Sequence, residues 1–152
     1  MFLTGKFTRS LDEKQRVAIP KPLRECLGPQ AQRPLFAAPG TDGSLAIYPE
    51  EAFARLASRL AAGSPTAREV RDYSRLFFSQ ATGIKLDRQG RLRIPSELLA
   101  WARLEGEAVL LGVQDHLELW RPDAWQLYAD QRRDHYDQLA EAAFGAAPEP
   151  NS

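Results

Sequence analysis

Hydrophobic and polar positions alternate in short runs along this chain, and the runs come in two sets. Leu11, Val17 and Ile19 bracket the polar stretch Asp12–Arg16, and Leu86, Leu92 and Ile94 bracket Asp87–Arg91 in the same way. Farther on, Leu35-Phe36-Ala37 and Leu45-Ala46-Ile47-Tyr48 are echoed by Val109-Leu110-Leu111 and Leu117-Glu118-Leu119-Trp120. Short apolar or alternating runs bounded by turn residues read as strands. The period becomes helical in three places. Phe53, Leu56 and Leu60 predict a helix over 50–61, Val70, Tyr73 and Phe77 one over 66–79, and Trp125, Tyr128, Ala129 and Arg132 one over 123–143. The first two are separated by Ala62-Gly63-Ser64-Pro65, where Ser64 is placed to cap the second helix with Pro65 at its first position.

The two sets are copies of one unit. Residues 11–24, LDEKQRVAIPKPLR, align with residues 86–99, LDRQGRLRIPSELL, at an offset of 75, with six identities in fourteen positions. Downstream the offset falls to 72, which puts three extra residues in the first copy's Gly40–Gly43 turn region. Each half therefore reads strand, turn, strand, short helix, strand, turn, strand, helix. A lone short hairpin is marginal in water, so the halves are expected to interleave around one core. The fold class is α+β, a mainly β core with flanking helices related by a pseudo-two-fold duplication. The divisions are a first half over 1–63, a connecting helix over 64–80, a second half over 81–144 and a flexible tail over 145–152.

Composition narrows the function. Of 152 residues, 43% are hydrophobic and 26% charged, as in a globular rather than a disordered chain. No stretch approaches the roughly 18 apolar residues of a membrane span, and the N-terminus lacks a signal peptide's apolar run. The single cysteine, Cys26, excludes an internal disulfide and points to a reducing cytoplasm. It lies in a short apolar helix ending at Gly28, where a buried structural thiol is expected. Net charge is zero but unevenly spread: residues 1–34 and 68–93 each carry +4, and residues 105–152 carry −7. A polyanion responds to the local patch rather than the total.

The doubled Asp-x-x-x-Arg, Asp12–Arg16 and Asp87–Arg91, sits between strand-like runs in both copies and is therefore a hairpin loop. An Asp opening a tight turn accepts backbone N–H groups and fixes it. Gly90 suits a left-handed position, whereas Gln15 must adopt that conformation at some cost. A bracing salt bridge alone is one explanation, but exposed pairs contribute only ~0–1 kcal/mol, which explains two copies poorly. In the other, Asp12 and Asp87 brace the loops while Arg16 and Arg91 clamp phosphate or read guanine edges. Lys14, Arg9, Arg88 and Arg93 then add phosphate contacts.

The opening MFLTGKFTRSLDEKQRVAIP, the second copy LDRQGRLRIP and the central RLFFSQAT resemble the MraZ family, over nearly the whole chain to about residue 144. The resemblance implies two AbrB-like swapped-hairpin halves forming a barrel. It also implies a ring-shaped homo-oligomer, and a nucleoid-associated transcriptional regulator that binds direct repeats in promoter DNA of the division and cell-wall gene cluster. It assigns the DNA contacts to the basic loops, here Arg16 and Arg91 supported by Asp12 and Asp87. The family usually has Gly where this chain has Gln15, and Thr4 is an extra residue before Gly5.

Two other classes remain. An enzyme finds little support: His116 and His135 fall on different elements, and no nucleophile elbow, phosphate loop or metal-ligand spacing occurs. No cofactor, metal or small-molecule substrate is expected. A non-catalytic oligomerisation or protein-binding scaffold fits the same fold, and steep salt dependence of binding is what separates DNA recognition from it.

Overall fold

A computed structural model describes residues 1–146 of the chain. The first repeat runs β1 (Lys6–Ser10), β2 (Arg16–Ala18), α1 (Lys21–Leu27), a 3₁₀ turn over Gly28–Gln32, β3 (Leu35–Pro39), β4 (Leu45–Tyr48) and α2 (Glu50–Ala61). After α3 (Arg68–Gln80) the second runs β5 (Thr82–Ile84), β6 (Arg91–Arg93), α4 (Ser96–Trp101), β7 (Glu107–Val113), β8 (His116–Trp120) and α5 (Pro122–Arg133), followed by α6 (Tyr136–Ala146). The Ile-Pro steps set this layout twice. Proline holds the preceding isoleucine extended and starts a helix: the Pro20 carbonyl accepts from the Leu23 and Arg24 N–H groups, and the Pro95 carbonyl from those of Leu98 and Leu99.

Met1–Pro122 forms one compact unit that contains all eight strands. Six strands pair in the order β1-β7-β8-β4-β3-β5, and β2 pairs with β6 as a separate ribbon. Exchanging each strand for its repeat partner returns the same order reversed, so a pseudo-two-fold axis passes between β4 and β8. In the ribbon the axis runs through the Val17–Leu92 pair, which are equivalent residues. Strands β1 and β7, β3 and β5, and β4 and β8 join different repeats, so the halves interleave as expected. The three-residue difference between the repeats also falls in the expected loop. Residues 40–44 connect β3 to β4, where Gln114 and Asp115 alone connect β7 to β8.

Alternation along the strands builds the core. Val17, Ile19, Leu92 and Ile94 point inward and are almost fully buried with Leu23, Leu98, Leu110 and Leu119. Each such side chain contributes about 1.5–3 kcal/mol of burial. On the opposite face of the sheet an aromatic layer joins β3 and β4 to α2 and α3. The Phe36 and Phe53 rings stack at 4.4 Å, and Phe53 and Phe77 at 6.0 Å. The α3 stripe is divided: Phe77 is buried, whereas Tyr73, Leu76 and Phe78 are exposed.

Four local expectations are corrected. The implied barrel is not closed by strand hydrogen bonds: the six-stranded ladder ends at β1 and β5, because β2 and β6 pair with each other. Ser64 does not cap α3. That helix begins at Arg68 behind Ala67, and the Ser64 hydroxyl instead meets Thr66 while its carbonyl accepts from the Ala67 N–H in a turn. Cys26 is exposed, because the seven-residue α1 buries only the Leu23/Leu27 stripe and Cys26 lies on its flank. The single C-terminal helix is two helices. At Asp134-His135, both weak helix formers, the His135 N–H bonds Arg132 O three residues back and interrupts the four-residue ladder.

The second unit, from Asp123 on, contains these helices. On α5 the Arg132 guanidinium lies 3.7 Å from the centre of the Tyr128 ring, and Trp125 stacks beside Tyr128 at 5.9 Å. Gly145 and Ala146, assigned above to a tail, are helical; the rest of that tail lies outside the described residues.

Candidate nucleic-acid interface

Each Asp-x-x-x-Arg segment folds into the same turn. Asp12 Oδ1 accepts the N–H groups of Lys14 and Arg16, both at 2.9 Å, and its Oδ2 takes Arg16 Nε at 2.7 Å. Asp87 does the same with Gln89 and Arg91, both at 2.9 Å, and with Arg91 Nε at 3.0 Å. Three donors aimed at one carboxyl group favour its ionised form. Led by the backbone N–H of the arginine, these bonds hold the pKa of Asp12 and Asp87 below the ordinary value, against the opposing effect of desolvation. The fourth position of each turn is left-handed, with φ of 63° at Gln15 and 75° at Gly90.

The two turns are stitched across the pseudo-two-fold axis. The Gln15 carbonyl accepts the Ile94 N–H at 2.9 Å, and the Gly90 carbonyl accepts the equivalent Ile19 N–H at 2.9 Å. Arg91 Nη1 also reaches Asp12 Oδ2 at 3.7 Å. The two motif arginines, far apart in sequence, thus meet around one carboxylate.

Because Val17 and Leu92 face the core, Arg16, Ala18, Arg91 and Arg93 face outward. Arg16 stands directly opposite Arg93 in the ribbon. Like charges across a strand pair are destabilising, so the outer face carries unfavourable positive charge in the free protein. Lys14 and Arg88 are exposed in the turns. Arg9 is placed differently: it lies on β1, donates to Thr8 O at 2.9 Å and packs 5.6 Å from the centre of the Phe7 ring, rather than on either turn.

Two residues of this region escaped the sequence reading. Arg24, on α1, donates Nε to Ile19 O at 3.0 Å and lies against Gly90, where an added Cβ would sit 2.8 Å from that Nε. Ser96, on α4, donates to Gln15 Oε1 at 3.0 Å and ties down the non-glycine residue in the left-handed position. The Arg24–Gly90 and Ser96–Gln15 contacts cross between repeats, so neither leaves a local signal.

Of the two histidines, His116 opens β8 between Asp115 and Glu118, with Nδ1 and Nε2 each 2.9 Å from a carboxylate, and His135 is in the α5–α6 turn. Among the described residues no group of three or more His, Cys, Asp or Glu side chains is placed to hold a metal ion, and no helix is long and apolar enough to cross a membrane.

The duplicated turn agrees with comparison against known proteins. The family model described as MraZ protein matches twice, over residues 2–76 and 77–146. The chain belongs to the MraZ family. A relative from Limosilactobacillus reuteri is 37% identical over 139 residues, covering 91% of this chain and 95% of its own. One from Thermomicrobium roseum is 38% identical over 130 residues, covering 86% and 88%. One from Moorella thermoacetica is 36% identical over 141 residues, covering 93% and 95%. Each is named transcriptional regulator MraZ. The two MraZ matches meet inside α3, between Leu76 and Phe77.

Proposed function

We propose that this MraZ-family chain is a sequence-specific DNA-binding transcriptional regulator, and that the outer face of the β2/β6 ribbon meets the DNA. The observation that carries the reading is the convergence of Arg16 and Arg91 on Asp12, with Arg93 held against Arg16. A face that tolerates unfavourable positive charge gains most from a polyanion, and a braced guanidinium is pre-oriented for phosphate or guanine. In this reading Arg16, Arg91 and Arg93 make the central contacts, and Lys14 and Arg88 flank them. Asp12, Asp87 and Gly90 hold the loops, and Arg9 acts at the edge. Interleaved pairing of the two halves is also what a swapped-hairpin arrangement requires.

The chain acts as a homo-oligomer, a ring whose repeated faces engage direct repeats upstream of division and cell-wall genes, in the cytoplasm at the nucleoid. Repeated loops on repeated sites gain affinity through effective concentration. The exposed Tyr73, Leu76 and Phe78 of α3 supply apolar surface suited to contacts between copies. The test is titration of DNA from upstream of the chain's own gene, against scrambled DNA, over a salt series. Preference for the upstream DNA with a steep salt slope supports the reading. Equal, weak binding to both refutes it and leaves the scaffold.

A further inference from the structure

The two loops look alike, but their surroundings do not. A hollow of about 480 Å³ opens beside the second loop, lined by Lys21, Arg24 and Glu25 of α1 together with Asp87, Arg88 and Gly90 of the loop itself. Both carboxylates in it are engaged, Asp87 by Arg91 at 3.0 Å and Glu25 by Lys21 at 3.8 Å. Arg24 uses Nε on Ile19 O, and among the described residues no carboxylate pairs with Arg24 or Arg88. The repeat offset supplies the comparison. The positions equivalent to Lys21, Arg24 and Arg88 are Ser96, Leu99 and Glu13 in the other copy. Three cations on one side correspond to a hydroxyl, an apolar side chain and an acid on the other. The first loop has Lys14 exposed in the turn itself, opposite the second copy's neutral Gln89, and its other nearby cations, Lys85 and Arg93, line a different depression beside Gln15.

We propose that this hollow binds a phosphate of the DNA backbone, held by Arg24 and Arg88 with Lys21 at its rim, so that the two loops grip DNA unequally. The inference rests on the reading that the loops meet DNA. Gly90 contributes twice: its carbonyl accepts from Ile19, and its lack of a side chain lets the Arg24 stem pass beneath the turn. Arg24 therefore positions the second loop and lines the same hollow as the loop's own Arg88. A planar guanidinium pair next to an exposed turn suits a tetrahedral oxyanion and carries no base preference.

The experiment compares full-length wild type with Arg24→Gln, Arg24→Lys and Lys21→Gln in DNA binding over a salt series, with circular dichroism melts alongside. Arg24→Gln is expected to weaken upstream and scrambled DNA by the same factor. It should also flatten the slope of log affinity against log salt by about one, the effect of one lost phosphate contact. Arg24→Lys should keep most of the slope, and Lys21→Gln, far from any core contact, should lower it partly without altering the melt. A full wild-type slope in Arg24→Gln overturns the proposal while leaving the DNA reading intact, and loss confined to the upstream sequence also overturns it, because that is base readout. A wild type that binds no DNA removes both. Inorganic phosphate, titrated at constant ionic strength, separates the sources. Phosphate binding that needs Arg24 while DNA binding does not would make this a free-anion site and overturn the backbone assignment.

Discussion

Asp12 and Arg91 belong to different repeats, yet Arg91 Nη1 lies 3.7 Å from Asp12 Oδ2, the oxygen that already binds Arg16 Nε at 2.7 Å. No equivalent bridge joins Arg16 to Asp87 among the described residues. One carboxylate thus serves two arginines and the other serves one. Asp12→Ala is expected to lower the melting temperature more than Asp87→Ala, and to weaken upstream-DNA binding more, since it frees Arg16 and also removes the bridge to Arg91, which Asp87 alone then holds. Equal effects of the two substitutions on both readouts would remove the shared role of Asp12. Both carboxylates have depressed pKa values. The stability they supply is therefore complete above the unfolded value of 3.8 and is lost as pH falls through their folded values.

Arg16 and Arg91 are part-buried but lie outside the apolar core, so Arg16→Ala and Arg91→Ala remove an ion pair without opening a core cavity. Each is expected to leave the melt close to wild type and to weaken DNA binding by about 10- to 100-fold, the equivalent of one good guanidinium contact at ~1–3 kcal/mol. Competition titrations against fluorescent upstream DNA measure this directly. A double variant that binds like wild type would place the DNA elsewhere on the protein.

Gly90 and Arg24 are coupled through space rather than sequence. Gly90→Ala puts a Cβ into a left-handed residue and within 2.8–3.0 Å of the Arg24 side chain, costing roughly 1–3 kcal/mol. In an Arg24→Ala background the Gly90→Ala penalty should fall toward the conformational part alone, about 1–2 kcal/mol. A double-mutant cycle by urea denaturation reads the difference, and additivity would mean the contact carries no energy.

These pairs mark the limit of what could be read in the sequence. The repeat, the strand order within each half, the turn-bracing aspartates and the three-residue insertion are local features, and periodicity with a 75-residue offset exposed them. The helix over 50–61 was legible because Phe53, Leu56 and Leu60 recur at helical spacing. Arg24, Ser96 and the Asp12–Arg91 bridge were not, because each depends on which face of one repeat meets the other. Cys26 misled for a related reason: a seven-residue helix with only Leu23 and Leu27 buried leaves its flank exposed whatever residue stands there. The break at Asp134-His135 interrupts a stripe whose apolar spacing continues on both sides, so spacing alone joined the two helices.

Gln15 is the non-glycine counterpart of Gly90, at φ 63°. Gln15→Gly relieves a left-handed strain of about 1–2 kcal/mol. It also loses an exposed side-chain bond to Ser96, about 0.5 kcal/mol, and gains some unfolded-state entropy. The net expectation is a small stabilisation, below about 1 kcal/mol, visible as a higher melting temperature. Ser96→Ala in the wild-type background should move the melt slightly the other way. A destabilised Gln15→Gly would show that the Ser96 clasp outweighs the backbone strain.

The last expectation concerns pH and the side chains around His116. His116 sits between Asp115 and Glu118, stacks on Tyr48 of β4 at 5.2 Å, and is approached by Arg55 of α2, 3.8 Å from Asp115. Burial lowers the His116 pKa, but hydrogen bonds to Glu118 and Asp115 and their charges outweigh it, so the value stands above 6.5. Tyr48, pushed up to about 12 chiefly by desolvation and further by the nearby Tyr73, Glu118 and Asp115, stays neutral beside it. Glu118 is affected in the opposite sense: desolvation raises its pKa, but bonds from His116 and Trp120 and the His116 charge bring it below 4.5. A raised folded pKa contributes stability that is complete below the unfolded value and is lost as pH climbs through the folded one. A depressed carboxylate loses its contribution as pH falls through its own folded value. Between these limits the His116–Glu118 pair is fully charged and most stabilising. The melting temperature of wild type relative to His116→Gln should therefore be highest just below pH 6.5 and decline as pH rises above 6.5 through the raised His116 value. Melting curves for the two proteins that stay parallel across that window would show that the imidazolium contributes nothing to the fold.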